Sequence, residues 1–133
     1  MSCVGLSLVS TLWARVQYNK PVSEREEFGV CVKGLSVLDD QSLKIAEWIE
    51  ILKVLGASKI YLPILSVHEN IHRVLEHYVE EGRVELSDLT LAGGQPNDPW
   101  KQHKFIHKTA HHIVKNNNEK IPLNVCFYQN LYR

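Results

Sequence analysis

Residues 68–72 read His68-Glu69-Asn70-Ile71-His72, two imidazoles framing a carboxylate. On a helix this spacing puts both imidazoles on one face. There they could hold zinc while Glu69 acts as general base toward a bound water. The helix would have to contain both, yet His68 lies only two residues after Ser66, the expected cap. A catalytic zinc also needs a third protein ligand, and no zincin continuation follows. In a chain with seven histidines the pattern reads more simply as a chance match. His103, His107 and His111 recur every fourth residue, with His112 beside them, and could chelate a transition metal from one helix face. Lys101, Lys104 and Lys108 interleave them and no carboxylate is at hand to orient a ring, so a solvated face is the plainer reading. The three cysteines, Cys3, Cys31 and Cys126, form no CxxC pair. One disulfide is compatible with them and none is required, and a buried, inert thiol is the commoner state for Cys126. Gly93-Gly94 lacks the phosphate-loop pattern. Glu47 and Glu50 read as solvent-facing charges.

The elements that must position these residues alternate in type. Phe28–Leu35 (FGVCVKGL) is a continuous apolar run, the mark of a strand buried on both faces in a parallel sheet. Asp39-Asp40-Gln41-Ser42 supplies N-cap chemistry for a helix over about 43–55. Its stripe is Ile45, Trp48, Ile49 and Leu52, and Gly56 sits at the left-handed cap position. Lys59–Leu65 is a second strand, complicated by Pro63, which cannot donate to a ladder. A helix capped by Ser66 then runs to about 81 on Ile71, Val74, Leu75, Tyr78 and Val79, and Gly82 ends it. Arg83–Leu91 alternates as a third strand. After the 93–99 loop, Asp98 and Pro99 suit the N-cap and first position of a third helix. That helix should break at Asn116-Asn117-Asn118, leaving a short last helix after Pro122. The order predicts an α/β fold: a parallel sheet of three or four strands with helices on both faces. Ligands of such sheets bind at the carboxyl ends of the strands, here 32–35, 64–67 and 90–93.

The 133 residues make one domain's worth of chain, and the 44% apolar content is enough for an ordered core. Lys plus Arg (15) equals Asp plus Glu (15), which argues against nucleic acid as a partner and removes the polybasic route to an anionic membrane. No apolar run reaches the roughly 18 residues of a transmembrane helix. The first 13 residues lack the basic start of a signal peptide, and a strand or loop is expected over 1–22. Cysteine usage leaves the compartment open.

The stretches EFGVCVKGL, AEWIEILKVLGASKIYL, LSVHENIHRVLEHYVEEGRVEL, TLAGGQPN and IPLNVCFYQNLYR, in this order and spacing, resemble glycosyltransferase family 92. The similarity runs from about Asn19 to Arg133. It implies that 23–133 is part of a GT-A, Rossmann-like domain, the nucleotide-sugar-binding half. The implied reaction is transfer of a hexose, galactose above all, from a UDP-sugar to a glycan acceptor. The implied setting is a membrane of the secretory pathway, the Golgi. Val32, Lys33, Gly34 and Ser66 are the implied nucleotide-sugar-binding positions. Manganese is expected for the complete family domain, on an Asp-x-Asp strand expected beyond Arg133. Two positions depart from the family pattern. Ile64-Leu65-Ser66 stands where an acid could hold uridine, and Asn124-Val125-Cys126 stands for Asn-Asp-Cys. The resemblance therefore implies a fragment inactive alone, with an exposed sheet edge through which it could self-associate. A non-catalytic interaction module is the alternative, and a zinc hydrolase on His68, Glu69 and His72 the third.

Overall fold

A computed structural model describes residues 28–108 and 111–131. The expected 1–22 strand or loop and the 23–27 entry lie outside the described residues. The elements are β1 (Gly29–Cys31), β2 (Leu35–Val37), α1 (Ser42–Val54), β3 (Lys59–Val67), α2 (Glu69–Glu80), β4 (Val84–Asp88), α3 (Pro99–Lys108) and α4 (His111–Asn130). A 3-10 turn at Ala92–Gly94 precedes α3. The protein is therefore α/β, with an open, four-stranded parallel sheet, as the alternation of elements predicts.

Among the described residues all pairing goes through β3. β1 pairs with Lys59–Tyr61, β2 with the stretch from Ile64 to Val67, and β4 with Ile60–Ile64, every pair parallel. The expected single strand over 28–35 is thus two short strands separated by Val32-Lys33-Gly34. Pro63 supplies the physical reason. It has no N–H to donate, and the first edge of the sheet loses its ladder opposite it. Pairing with β4 continues through Pro63, which stands opposite Ser87.

Both α-to-β returns are built from helix ends that glycine makes possible. After α1, Gly56 takes φ 93° and donates to Lys53, while Ala57 donates to Leu52. After α2, Gly82 takes φ 73° and donates to Val79, while Arg83 donates to Tyr78. These are two Schellman motifs, and both sit at glycines where the sequence places a cap. The start of α2 differs from expectation. Ser66 stays in β3 opposite Ser36, and His68 is the cap, its Nδ1 accepting from the Asn70 N–H at 3.2 Å. The strand simply runs two residues further before the helix begins.

The core lies on one face of the sheet. Ile49 of α1, Ile71, Leu75 and Tyr78 of α2, Ile60 and Leu62 of β3, and Val84 of β4 form one buried cluster. Ile45, Trp48, Leu52 and Val74 pack at its border, as their helical spacing predicts, but Val79 is exposed. Glu50 is not an idle surface charge. It accepts the Tyr78 hydroxyl at 2.8 Å and the Lys53 ammonium at 3.0 Å, tying α1 to α2. The ammonium and then the hydroxyl hold the Glu50 carboxyl below its ordinary range, while burial and the same bond push the Tyr78 phenol up.

The opposite face is covered by α4. The helix continues through Asn116-Asn117-Asn118 and Pro122, where the sequence predicts a break. A proline inside a helix costs about 3 kcal/mol, so tertiary contact must hold it. Among the described residues of α4, Pro122 and Cys126 are the buried ones, one turn apart. Cys126 is bonded to Cys31 of β1, with Cα atoms 5.9 Å apart. The inward stripe therefore runs through half-buried Val114 and Asn118, buried Pro122 and Cys126, and half-buried Asn130, every fourth residue, and three of the five are polar or proline.

Candidate functional site

The carboxyl end of β1 opens into a cavity of about 570 Å³. One wall is the backbone and side chains of Val32–Val37, with Leu65 of β3 behind them. The other is made by Pro99, Gln102, His103, Ile106 and His107 of α3 and by Lys115, Asn118 and Glu119 of α4. The break in the first edge of the sheet is what places Val32-Lys33-Gly34 here. Freed from the ladder opposite Pro63, these three residues border the cavity.

The second wall is positioned by the loop before α3. Asp98 accepts the Lys101 N–H at 2.8 Å and starts the helix, with Pro99 first, as the sequence predicts. The Ser36 hydroxyl donates to the Asn97 carbonyl at 3.2 Å, which fastens that loop to β2. Gln95 and Asn118 exchange amide hydrogen bonds, the shorter 2.8 Å, joining the loop to α4. Gly94 and Gly93, at φ 68° and 72°, allow the turn that leads into this loop.

Charge in the cavity comes from Lys33 and Lys115 against Glu119. Lys33 and Glu119 lie 3.4 Å apart and both are exposed, so the pair is screened and easily exchanged for another partner. His103 and His107 meet edge to face with ring centroids 4.2 Å apart. Apolar groups (Val32, Leu35, Val37, Leu65, Ile106) floor a space bordered by cationic and amide groups. Such a space can take a flat apolar group at one end and an anion at the other.

A second cluster caps the sheet nearby. Asp40 accepts the Ser42 N–H at 3.1 Å and the Asn70 side-chain amide at 2.6 Å, joining the N-termini of α1 and α2. The Asn70 amide and then Ser42 hold its carboxyl down at about 2.

Of the four positions expected at the site, Val32, Lys33 and Gly34 line the cavity and Ser66 does not. Ser66 is half-buried within β3, in register with Ser36. The zinc constellation is dispersed. His68 stands outside the helix as its cap, Glu69 pairs with Arg73, and His72 faces Glu76 at 3.2 Å. Among the described residues no group of three or more His, Cys, Asp or Glu could hold a metal ion. The His111 and His112 side chains lie outside the described residues. Sequence reasoning missed Ser36, Gln102, Lys115, Asn118 and Glu119. The inward face of α4 is mostly polar residues and proline, so no apolar spacing marks it.

The fold and cavity define a class: a parallel α/β domain with a cavity at the carboxyl end of a strand. The model of glycosyltransferase family 92 matches residues 26–133, and the chain belongs to that family. Comparison with curated proteins and with solved structures gives no match.

Proposed function

We propose that this chain is the nucleotide-sugar-binding half of a GT-A-type hexosyltransferase that uses a UDP-sugar. The observation that carries the reading is the cavity at the carboxyl end of β1, in a family 92 chain, with Lys33 and Lys115 on its border. Uracil and ribose would lie on the apolar floor, and the diphosphate against the lysines. Val32 and Gly34 contribute backbone there, and Lys33 exchanges Glu119 for phosphate. Ser66 would act from behind the strand, by holding β2 in register.

In glycosyl transfer an acceptor hydroxyl oxygen forms a bond to the anomeric carbon while the bond from that carbon to the β-phosphate oxygen breaks. The hydroxyl proton goes to a base, and UDP leaves with the charge. Cations already placed on the diphosphate stabilise that leaving group. Galactose is the hexose proposed, and a glycan the acceptor. Manganese would supply further neutralisation in the complete family domain. The described residues do not compose a site for it, and the 133 residues contain no Asp-x-Asp. Nucleotide binding without turnover is therefore the activity proposed for these residues alone.

The Cys31–Cys126 disulfide supports an oxidising compartment, the lumen of the secretory pathway. Among the described residues no helix is long and apolar enough to cross a membrane.

Titration calorimetry with UDP tests the proposal. The expected result is binding in the micromolar to millimolar range, weakened about tenfold in Lys33→Ala. Equal affinity of the Lys33→Ala variant, or no binding at millimolar UDP, overturns it. Enzyme-like turnover of a UDP-sugar with manganese overturns the binding-only part.

A further inference from the structure

We infer that the Cys31–Cys126 disulfide seats α4 as a wall of the cavity, so that the cavity exists in the oxidised chain and is lost in the reduced one. The binding arm of this inference rests on the nucleotide reading above; the structural arm does not.

The two faces of the sheet are held differently. On the first face α1 and α2 contribute Ile49, Ile71, Leu75 and Tyr78 to the buried cluster, and no described side chain of α4 belongs to it. On the second face α4 buries Pro122 and Cys126, while Ile121, Val125, Phe127 and Tyr128 remain exposed. Besides its packing against α3, two polar ties join it to the rest of the cavity, and both are weak holds on the sheet. The Lys33–Glu119 pair is exposed and salt-screened, and the Gln95–Asn118 amide pair joins it to a loop rather than to the sheet. The helix itself carries a proline and three successive asparagines, which do not favour a free-standing helix. The covalent bond is placed where it matters for the site. Cys31 directly precedes Val32, Lys33 and Gly34 on one wall, and Cys126 follows Asn118 and Glu119 of the other wall by two turns.

Clefts reach both cysteines, one of about 200 Å³ bordered by Phe28, Tyr61 and Phe127 at Cys31 and one of about 270 Å³ at Cys126, but Cys31 is half-buried while Cys126 is only 5% exposed. A dithiol reductant attacks through its thiolate at the Cys31 sulfur. The bond between the cysteine sulfurs breaks, and the Cys126 sulfur leaves as a thiolate and takes a proton. The second thiol of the reductant then attacks the mixed disulfide, frees Cys31 as a thiol, and leaves as a cyclic disulfide. Two electrons pass from the reductant to the cystine.

Amide hydrogen exchange on the full chain tests this, comparing the oxidised protein, the protein in excess dithiol, and the Cys31→Ser/Cys126→Ser double variant without reductant. UDP titrations run alongside. In both disulfide-free forms α4 amides should exchange at least about tenfold faster, with β3, α1 and α2 still protected. UDP affinity should fall about tenfold or more. Unchanged α4 protection in the double variant overturns the inference, and so does loss of core and α4 protection together. If the oxidised chain binds no UDP, the nucleotide reading falls while the exchange comparison still decides the role of the disulfide.

Discussion

Leu75 and Val54 are both apolar residues on helices, and they should respond to truncation in opposite ways. Leu75 is 0% exposed within the cluster of Ile49, Ile71 and Tyr78, whereas Val54 ends α1 at 86% exposed. Leu75→Ala removes three carbons from a closed core. At about 0.8 kcal/mol per buried methylene, transfer alone sets a floor near 2.4 kcal/mol. The void left behind adds to this, because neighbours on a sheet and two helices relax only in part. A loss of about 3–4 kcal/mol is expected, which lowers the melting midpoint by roughly 10–20 °C in a domain of this size. Val54→Ala removes carbons that already face water and replaces a β-branched residue with the best helix former. It should change stability by less than about 0.5 kcal/mol, in either direction. Urea unfolding of the oxidised full chain, followed by far-ultraviolet circular dichroism, measures both. If Val54→Ala costs as much as Leu75→Ala, the outer side of α1 is packed against something, and placing the whole core between α1, α2 and the sheet is wrong.

The remaining predictions concern the site and its borders. A Cβ on Gly34 would lie 2.7 Å from Leu89 Cδ2 and 3.1 Å from Leu65 Cδ1, so Gly34→Val should cost about 1–3 kcal/mol in urea unfolding. Wild-type stability of that variant would refute the close approach. Asp40 is held at about 2 against its usual 3.8, so the unfolded chain takes the proton first. The stability it contributes is complete above 3.8 and is lost as the pH falls toward about 2. Asp40→Asn should therefore flatten the fall in urea midpoint over that window, and an unchanged slope would count against the Asn70 contact. Protein purified without a tag should contain no stoichiometric zinc by elemental analysis, and His68→Ala should weaken the start of α2 rather than abolish a metal site. A zinc content near one per chain, lost in His72→Ala, would restore the hydrolase reading.

The alternation of strands and helices, the two glycine caps, the stripes of α1 and α2 and the Asp98–Pro99 start of α3 are all legible in the residues. Each is a local matter: apolar spacing, a φ open only to glycine, or a side chain that reaches its own backbone. The same reading located Val32, Lys33 and Gly34 at a strand end, because parallel sheets receive ligands there. Tertiary structure decided the rest. Pro63 splits the first strand only because its missing N–H faces that neighbour and not β4. Asn116–Asn118 and Pro122 remain helical in a helix whose Cys126 is bonded to a residue 95 positions earlier. The face that α4 turns inward carries Asn118, Pro122 and Asn130, so hydrophobic periodicity is silent about it. Part of the cavity wall, Lys115, Asn118 and Glu119, comes from that helix, and a contact across so long a stretch of chain leaves no trace in local spacing.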